Sequence, residues 1–213
     1  MSLRHAAAAV VLFAAASAAH AQFVINEGFD NVANLGSRGW VLSNASSPLG
    51  STGWFQGDQT IFTSQAGAPQ AYVAANFNNA AAGGTLANWL ISPTFSTQDP
   101  GYVRFYARAD VVPEFSDQLV WGFSHGGSSF ADFTLGAPHT IGAGWTQFQI
   151  NFAAQGVGST GRFAIVYTGP ADLANYVGVD TFAVAVPEPE TWALMIAGLA
   201  GLAVLKRRRA VRA

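Results

Sequence analysis

The chain has 213 residues, and its formal net charge of −2 hides an uneven distribution of charge. Residues 22–186 carry four arginines, no lysine and ten acidic residues, a formal charge of −6, whereas five basic residues follow position 205. An acidic segment of this kind lacks the cations that neutralise phosphates, so nucleic acid is not expected as a partner. The absence of cysteine excludes disulfides, thiolate metal sites and cysteine-based catalysis.

The first segment of the chain is typical of an export signal. Arg4 and His5 precede an apolar stretch, Ala6–Ala19, which is too short to remain as a membrane anchor. The stretch ends at Ala19-His20-Ala21, a small-x-small pattern that signal peptidase cleaves. We therefore predict a signal peptide over residues 1–21 and a mature chain that starts at Gln22. The alternative, a buried N-terminal helix, does not account for the cleavage pattern.

Residues 22–186 have the length of one domain and alternate apolar with polar residues along many short segments. This pattern predicts an all-β fold, a β-sandwich of the jelly-roll type. Turn-forming glycine clusters separate the segments. The predicted strands are Phe23–Ile25, Trp40–Leu42, Trp54–Gln56, Ala71–Asn76, Trp89–Ile91, Tyr102–Arg108, Gln118–Ser124, Trp145–Phe152, Arg162–Tyr167 and Val177–Val184.

Four parts of this domain carry a family resemblance. They are Ile25-Asn26-Glu27-Gly28-Phe29-Asp30 with Gly39-Trp40, then Asn88–Pro93, then Val103–Arg108, and finally Tyr176–Phe182. Together they resemble the choice-of-anchor J or cleaved-adhesin domains. The resemblance implies a jelly-roll sandwich related to MAM domains and carbohydrate-binding modules, displayed on surfaces by interchangeable anchors. It implies no enzymatic activity, and we expect that the protein is not an enzyme.

The same resemblance implies a structural calcium ion that joins the first and last strands, with Glu27, Asp30 and Asp180 as candidate ligands. Calcium prefers hard oxygen ligands such as these carboxylates. Asp180 lies inside an otherwise apolar strand, where a buried carboxylate needs a partner. The alternative is an aspartate that is hydrogen-bonded or faces solvent. Zinc is not expected, because His125 and His139 do not have clustered spacing.

One catalytic pattern is present in outline. Gly122-Phe123-Ser124-His125-Gly126 fits G-x-S-x-G, with Asp132 and His139 following it. A nucleophile elbow requires a strand, a strained turn and then a helix, whereas Gly126-Gly127-Ser128-Ser129 is typical of a flexible turn between strands. We therefore interpret the pattern as a hairpin turn and not as a hydrolase site.

Aromatic residues suggest two further candidate surfaces. A sugar-stacking platform is possible in principle for Trp40, Trp54, Trp89, Trp121 and Trp145, but burial in the sandwich core is the favoured interpretation. The better ligand candidate is the polar face of one strand, formed by Tyr102, Arg104, Tyr106 and Arg108. A solvated face with cross-strand pairs explains those four residues as well.

The C-terminal segment has three parts in a fixed order. Val186-Pro187-Glu188-Pro189-Glu190 cannot continue a strand, because its prolines remove ladder donors. The 14-residue uncharged run Trp192–Leu205 predicts a short apolar helix of roughly 21 Å, less than the ~30 Å hydrocarbon core of a bilayer. Lys206, Arg207, Arg208 and Arg209 follow and predict a cytoplasmic end, with the domain facing outward.

This arrangement resembles the PEP-CTERM sorting signal, which we assign to residues 187–213 with Pro187, Glu188, Pro189, Arg207, Arg208 and Arg209 as its signal residues. The resemblance implies processing by an exosortase, a membrane transpeptidase-like enzyme, in a Gram-negative bacterium that makes exopolysaccharide or biofilm. A short helix of this kind suits transient anchoring in the inner membrane. The alternative, a plain single-pass anchor, leaves Pro-Glu-Pro unexplained.

Two functions remain open from the sequence. The first is an exported protein of the cell surface or extracellular matrix, with a structural or adhesive domain and with signal peptidase and exosortase as its processing enzymes. The second is a carbohydrate-binding module for exopolysaccharide. An exposed aromatic platform would favour the second function, and a buried set of tryptophans would favour the first.

Overall fold

The computed structural model describes residues 21–187 and, beyond them, only Gly198. The chain divides into two compact units, one of residues 23–185 and one of residues 1–22 together with 186–213. Most of the predicted signal peptide, the apolar run and the arginine cluster therefore lie outside the described residues. Among the residues that are described, no helix is both long and apolar enough to cross a membrane.

The described residues form fourteen strands and five short 3₁₀ turns. The strands are β1 (Ala21–Glu27), β2 (Val41–Asn44), β3 (Ser47–Leu49), β4 (Phe55–Gln56), β5 (Val73–Asn76), β6 (Ala80–Ile91), β7 (Phe95–Ser96), β8 (Gly101–Ala109), β9 (Gln118–Ser124), β10 (Thr134–Leu135), β11 (His139–Thr140), β12 (Thr146–Phe152), β13 (Thr160–Pro170) and β14 (Tyr176–Pro187). The 3₁₀ turns are Val32–Asn34, Gly36–Arg38, Phe77–Asn79, Phe130–Asp132 and Ala171–Leu173.

The strands form two antiparallel sheets. The first sheet has six strands in the order β12-β8-β14-β5-β4, with β1 pairing with β14. The second sheet has eight strands in the order β10-β9-β13-β6-β2, while β11 pairs with β9, β3 with β6 and β7 with β13. This architecture confirms the predicted all-β jelly-roll sandwich.

The main hydrophobic core lies between the two sheets, and strand alternation determines which residues enter it. In β8 the side chains of Val103, Phe105 and Ala107 are fully buried, as predicted, while the residues between them are half-buried. In β13 the buried inner residues are Phe163, Ile165 and Tyr167. Successive residues of a strand point to opposite faces, so each strand contributes every second side chain to this core.

The outer faces of both sheets also carry buried residues. Trp89, Val120 and Val166 of the second sheet pack against Phe133, which belongs to the connection between β9 and β10. On the first sheet, the connection between β4 and β5, here called the 57–72 loop, packs its side chains over the outer face. Both connections therefore act as covers that remove apolar surface from water.

The predicted strands agree with the observed ones, with two kinds of difference. The strand predicted to begin at Trp89 begins nine residues earlier, at Ala80. Its start is not visible in the sequence, because the Ala-Ala-Ala-Gly-Gly run there does not alternate apolar and polar residues. Four short strands of two or three residues, β3, β7, β10 and β11, were not predicted. Segments of that length are too short to show a period.

Candidate functional site

The polar face predicted on β8 exists, but neighbouring side chains cover much of it. Its four residues lie on the outer side of the first sheet and are half-buried: Tyr102, Arg104, Tyr106 and Arg108. The guanidinium carbon of Arg104 lies 5.5 Å from the centre of the Phe23 ring. That of Arg108 lies 4.5 Å from the centre of the Phe62 ring. The two arginines thus take part in cation–π contacts within the domain.

The 57–72 loop contributes an aromatic cluster to the same face. Phe62 stacks on Tyr72, with ring centres 5.0 Å apart, and meets Tyr176 and Trp145 edge-on. The hydroxyl of Tyr72 donates to the carbonyl oxygen of Asp58. The cluster therefore combines apolar contact with hydrogen bonds that fix the loop against the sheet.

Asp180 fixes the other half of the same loop. Its Oδ2 atom accepts hydrogen bonds from the backbone amides of Gln65 at 2.8 Å and Ala66 at 3.1 Å. Its Oδ1 atom accepts one from the amide of Thr181. The carboxyl is fully buried, and this burial raises its pKa to about 6 although the three amide bonds lower it.

A β-bulge presents Asp180 to the loop. The pairing of β14 with β8 is regular up to Asp180 and resumes at Ala183, so two residues of β14 face one of β8. Thr181 within the bulge has φ of 49°, a left-handed conformation that is rare for a β-branched residue. Its hydroxyl donates to the side-chain oxygen of Gln65 at 2.6 Å. The bulge and the 57–72 loop are thus joined by two side chains, the carboxylate of Asp180 and the hydroxyl of Thr181.

Glu27, the next predicted calcium ligand, also has protein partners. Its Oε1 atom accepts a hydrogen bond from the backbone amide of Phe29 at 2.8 Å. Its Oε2 atom forms an ion pair with Arg38 at 2.8 Å. Glu27 is buried, while Asp30 is exposed. The carboxyl of Glu27 is therefore neutralised without a metal ion.

The calcium site built from the three predicted carboxylates stays a prediction, and an ion there would compete with these contacts. N–H groups and a guanidinium already contact the oxygens of Glu27 and Asp180, so a cation would have to bind beside these donors or displace them. Within residues 21–187, no three His, Asp or Glu side chains converge in a way that could hold a metal ion. The structure thus favours the alternative for Asp180, a carboxylate hydrogen-bonded to backbone.

The tryptophans pack inside the domain and do not form a flat platform. Trp40 and Trp54 are buried in the core between the sheets, and Trp89 is buried on the outer face of the second sheet. Trp121 is half-buried and stacks on His139, with ring centres 4.2 Å apart. Trp145 is half-buried in the cluster of the 57–72 loop. This placement favours a structural role for the set.

The G-x-S-x-G segment is a turn, as the sequence indicates. Ser124, at the end of β9, is buried, and its hydroxyl donates to the carbonyl oxygen of Gly127 at 2.6 Å. His139 pairs with Leu119, five residues back along β9, a separation of about 17 Å at the strand rise. Nδ1 of the other histidine, His125, is paired with a glutamine side chain. These residues do not form a Ser–His pair.

A cavity of about 350 Å³, here called the end pocket, lies where three connections meet at one end of the sandwich. The connections are β5–β6, β8–β9 and β13–β14. The exposed aromatic residues Phe77 and Phe115 are part of its lining. Its polar lining comes from Asn78, Asp172 and Asn175. Small side chains leave room for the cavity: Ala80, Ala82, Ala171 and Ala174.

Asp117 joins two of the connections that form the end pocket. Its buried carboxylate accepts hydrogen bonds from the Tyr167 hydroxyl and from the backbone amides of Asn175 at 2.8 Å and Tyr176 at 3.3 Å. Burial raises the pKa of Asp117 above its usual value. Asn175 in turn donates through Nδ2 to the backbone oxygen of Asp110. The β8–β9 and β13–β14 connections are thereby tied to each other.

The end pocket is not visible in the sequence pattern. Its residues are up to 98 positions apart, and all except Ala80 and Ala82 of β6 belong to connections, where no period relates one residue to another. One signal was available: Asp117 is a carboxylate directly before a strand of apolar residues. A buried carboxylate at a strand end requires partners, and those partners are the pocket walls.

A model of the PEP-CTERM protein-sorting motif matches residues 185–210. This match includes Pro187, Glu188, Pro189 and the arginine cluster, of which only Pro187 lies in the described part of the chain. No curated protein matches the sequence. The motif indicates a secreted protein of the cell surface or extracellular space that is processed by an exosortase.

Solved structures resemble the sandwich. The K3 cleaved adhesin domain of Lys-gingipain from Porphyromonas gingivalis W83 has 16% identity and a TM-score of 0.55, over 77% of this chain and 99% of that domain. The K1 cleaved adhesin domain of the same protein has 18% identity and a TM-score of 0.56, over 75% and 96%. At such identities the similarity concerns the fold alone. The chain thus joins a PEP-CTERM sorting motif to a β-sandwich with the fold of cleaved adhesin domains.

Proposed function

We propose that this protein is exported by a Gram-negative bacterium, anchored transiently in the inner membrane, and released to the cell surface or extracellular matrix by an exosortase. The observation that carries the proposal is the sorting motif at residues 185–210, which directly continues the last strand of the sandwich. Signal peptidase would act first, at Ala19-His20-Ala21.

We assign the sandwich itself a structural or adhesive role without catalysis. Two features support this part of the proposal. The hydroxyl of Ser124 donates a hydrogen bond within a turn. Ser124 lies about 17 Å along β9 from Leu119, the residue that pairs with His139. Three of the tryptophans are buried and two are half-buried, so they stabilise the fold and do not form a flat surface for a ligand.

A second candidate function, carbohydrate binding, is favoured by the end pocket. It combines exposed aromatic rings with side-chain oxygen and amide groups, the mixture that small-ligand sites use. An exopolysaccharide is the natural partner to propose for a protein of the cell surface. The two functions are compatible, since a matrix protein can bind the polymer around it.

The sorting proposal is tested by mass and location. The intact mass of the protein and its distribution between membranes and medium are measured in host cells with and without the exosortase. We expect the tail beyond Val186 to be removed only when the enzyme is present. A variant with Pro187→Ala, Glu188→Ala and Pro189→Ala should keep its tail, while Val211→Ala, outside the matched motif, should be processed normally. An intact tail in the inner membrane of both strains would contradict the proposal.

A further inference from the structure

The lining of the end pocket includes the aromatic residues Phe77 and Phe115 and the hydrogen-bond acceptors of Asp172 and Asn175. We propose that it binds one or two sugar units of a neutral polysaccharide. Phe77 and Phe115 would stack on the C–H faces of the sugars, and Asp172 and Asn175 would accept hydrogen bonds from their hydroxyls. The inference rests on the carbohydrate-binding function proposed above and specifies its site and the charge of its ligand.

The aromatic side of the pocket is unusually open. Phe77 and Phe115 are 45% and 42% exposed, although phenylalanine is normally buried. Leu173, in the neighbouring connection, is also exposed. Apolar side chains grouped at a cavity mark a binding surface more often than chance. The C–H groups of a pyranose ring form an apolar face that matches a flat aromatic ring, as in other contacts with aromatic side chains.

The backbone directly before Phe115 is strained. Glu114, directly before it, has φ of 73°, in the left-handed region that disfavours residues other than glycine. The backbone amide of Phe115 donates to the carbonyl oxygen of Val112 at 3.1 Å, which closes a tight turn. Strain of this kind persists where surrounding structure enforces it, and it is frequent at ligand sites.

The polar side consists of oriented acceptors. The two carboxylate oxygens of Asp172 accept hydrogen bonds from the backbone amide of Gly83 at 2.9 and 3.1 Å, which fixes the carboxylate at the pocket. Nδ2 of Asn175 donates to the backbone and side chain of Asp110, so its amide plane is fixed as well. The side-chain hydrogen bonds seen for Asn175 within residues 21–187 are both donated by Nδ2, so its Oδ1 atom is the group that can accept from a ligand. Sugar hydroxyls are donors that suit such fixed acceptors.

The charge of the pocket selects a neutral ligand. Asp172 lines it directly, and Asp110, Glu114 and Asp117 belong to the β8–β9 connection, which contributes Phe115 to the lining. None of the four arginines in the described part of the chain lines the cavity. A polymer of uronic acids or sulfated sugars would place like charges next to Asp172, which costs free energy. The volume of about 350 Å³ is at the lower end for small-ligand pockets, so the site accommodates only a short stretch of a chain.

The test is a binding measurement on the exported protein purified from its host. Titration calorimetry with neutral oligomers of glucose, galactose, mannose and xylose is compared with titration of oligogalacturonate. We expect saturable binding of at least one neutral oligomer and none of the acidic one. Phe115→Ala should weaken the binding about tenfold, because it removes one stacking surface. Ala82→Phe, at an exposed position of the lining, should abolish it by filling the pocket.

Phe130→Ala is the matched control, because Phe130 is 39% exposed but stacks on Trp89, on the outer face of the second sheet. It should bind as the unaltered protein does. No binding of any neutral oligomer, equal binding of oligogalacturonate, or binding that survives both pocket variants would overturn the inference. The sorting proposal is judged separately from tail removal in the same cells, so the failure of one does not imply the failure of the other.

Discussion

The carboxylate of Asp180 accepts a hydrogen bond from the backbone amide of Gln65 at 2.8 Å, across 115 positions of the sequence. This single contact joins the last strand of the sandwich to the loop that covers its outer face. The acceptor is fully buried, so the contact has no competition from water. Loop, bulge and strand therefore form one unit, and several consequences can be measured.

Asp180 should make stability depend on pH below neutrality. Its pKa is about 6 in the folded protein and about 3.9 in an unfolded chain. The folded state thus holds the proton more tightly, so Asp180 stabilises the fold most below about pH 4 and loses this contribution as pH rises to about 6. We expect the stability gap between the unaltered protein and Asp180→Asn to narrow by up to about 3 kcal/mol over that interval.

Thermal unfolding monitored by circular dichroism between pH 4 and 7 measures this gap. Asp99→Asn serves as the control, because Asp99 makes only a 3.4 Å contact with its neighbour Gln98. A gap that widens with pH would show that the three amide bonds dominate over burial and that the pKa of Asp180 is lowered.

Calcium should leave the stability of the domain unchanged. The oxygens of Glu27 and Asp180 already accept hydrogen bonds from amides and an ion pair from Arg38, so an added cation would compete with existing partners and gain little. Melting temperatures in millimolar calcium and in excess chelator are expected to coincide. A calcium-dependent rise in the melting temperature, absent in Glu27→Gln, would instead support the metal site that the family resemblance implies.

Removal of the Arg38 side chain should destabilise the fold more than the exposure of Arg38 suggests. It is 45% exposed, but its partner Glu27 is only 5% exposed, so Arg38→Ala leaves a buried carboxylate without its counter-charge. We expect a loss of about 1–3 kcal/mol in the free energy of unfolding, measured by urea denaturation. Glu27→Gln combined with Arg38→Ala should recover part of that loss. If the double variant were no more stable than Arg38→Ala alone, the uncompensated charge of Glu27 would not be the cause of the loss.

Gly122 of the G-x-S-x-G segment should prove essential for packing. A Cβ atom at this position would lie 1.9 Å from the backbone oxygen of Thr134, because β10 passes directly over it. Gly122→Ala is expected to destabilise the domain by about 1–3 kcal/mol. Gly142→Ala, with no atom within 4 Å of the added methyl, should change stability by less than about 0.5 kcal/mol. Equal effects of the two substitutions on the denaturation midpoint would contradict this explanation.

The sandwich could be predicted because the alternation of apolar and polar residues that indicates a strand is a local feature of the sequence. In the strand around Phe105, buried and half-buried side chains alternate without interruption, and a period of two is visible in the letters themselves. The same signal is absent where β6 begins, since alanine and glycine do not distinguish an inner face from an outer one. Short strands such as His139–Thr140 depend entirely on the neighbour they pair with.

The candidate site could not be predicted in the same way. Phe77 and Phe115 meet at one cavity only because two connections end on the same side of the sandwich, which is a property of topology. Asp180 was identified as a carboxylate that needed a partner, but the sequence does not show that the partners are amides of the 57–72 loop. The calcium site, which the family resemblance implies, stays a prediction that the stability measurement above tests.

The position of β14 has a mechanical consequence. Residues 185–187 belong both to this strand and to the sorting motif, so a pull on that end of the chain is transmitted along β14. This strand lies inside its sheet, with β8 on one side and β5 and β1 on the other. A force along such a strand loads many ladder hydrogen bonds at once in shear, whereas an edge strand would be peeled away one bond at a time. A protein held at a surface through this end would therefore bear drag forces on an internal strand and not on an edge strand.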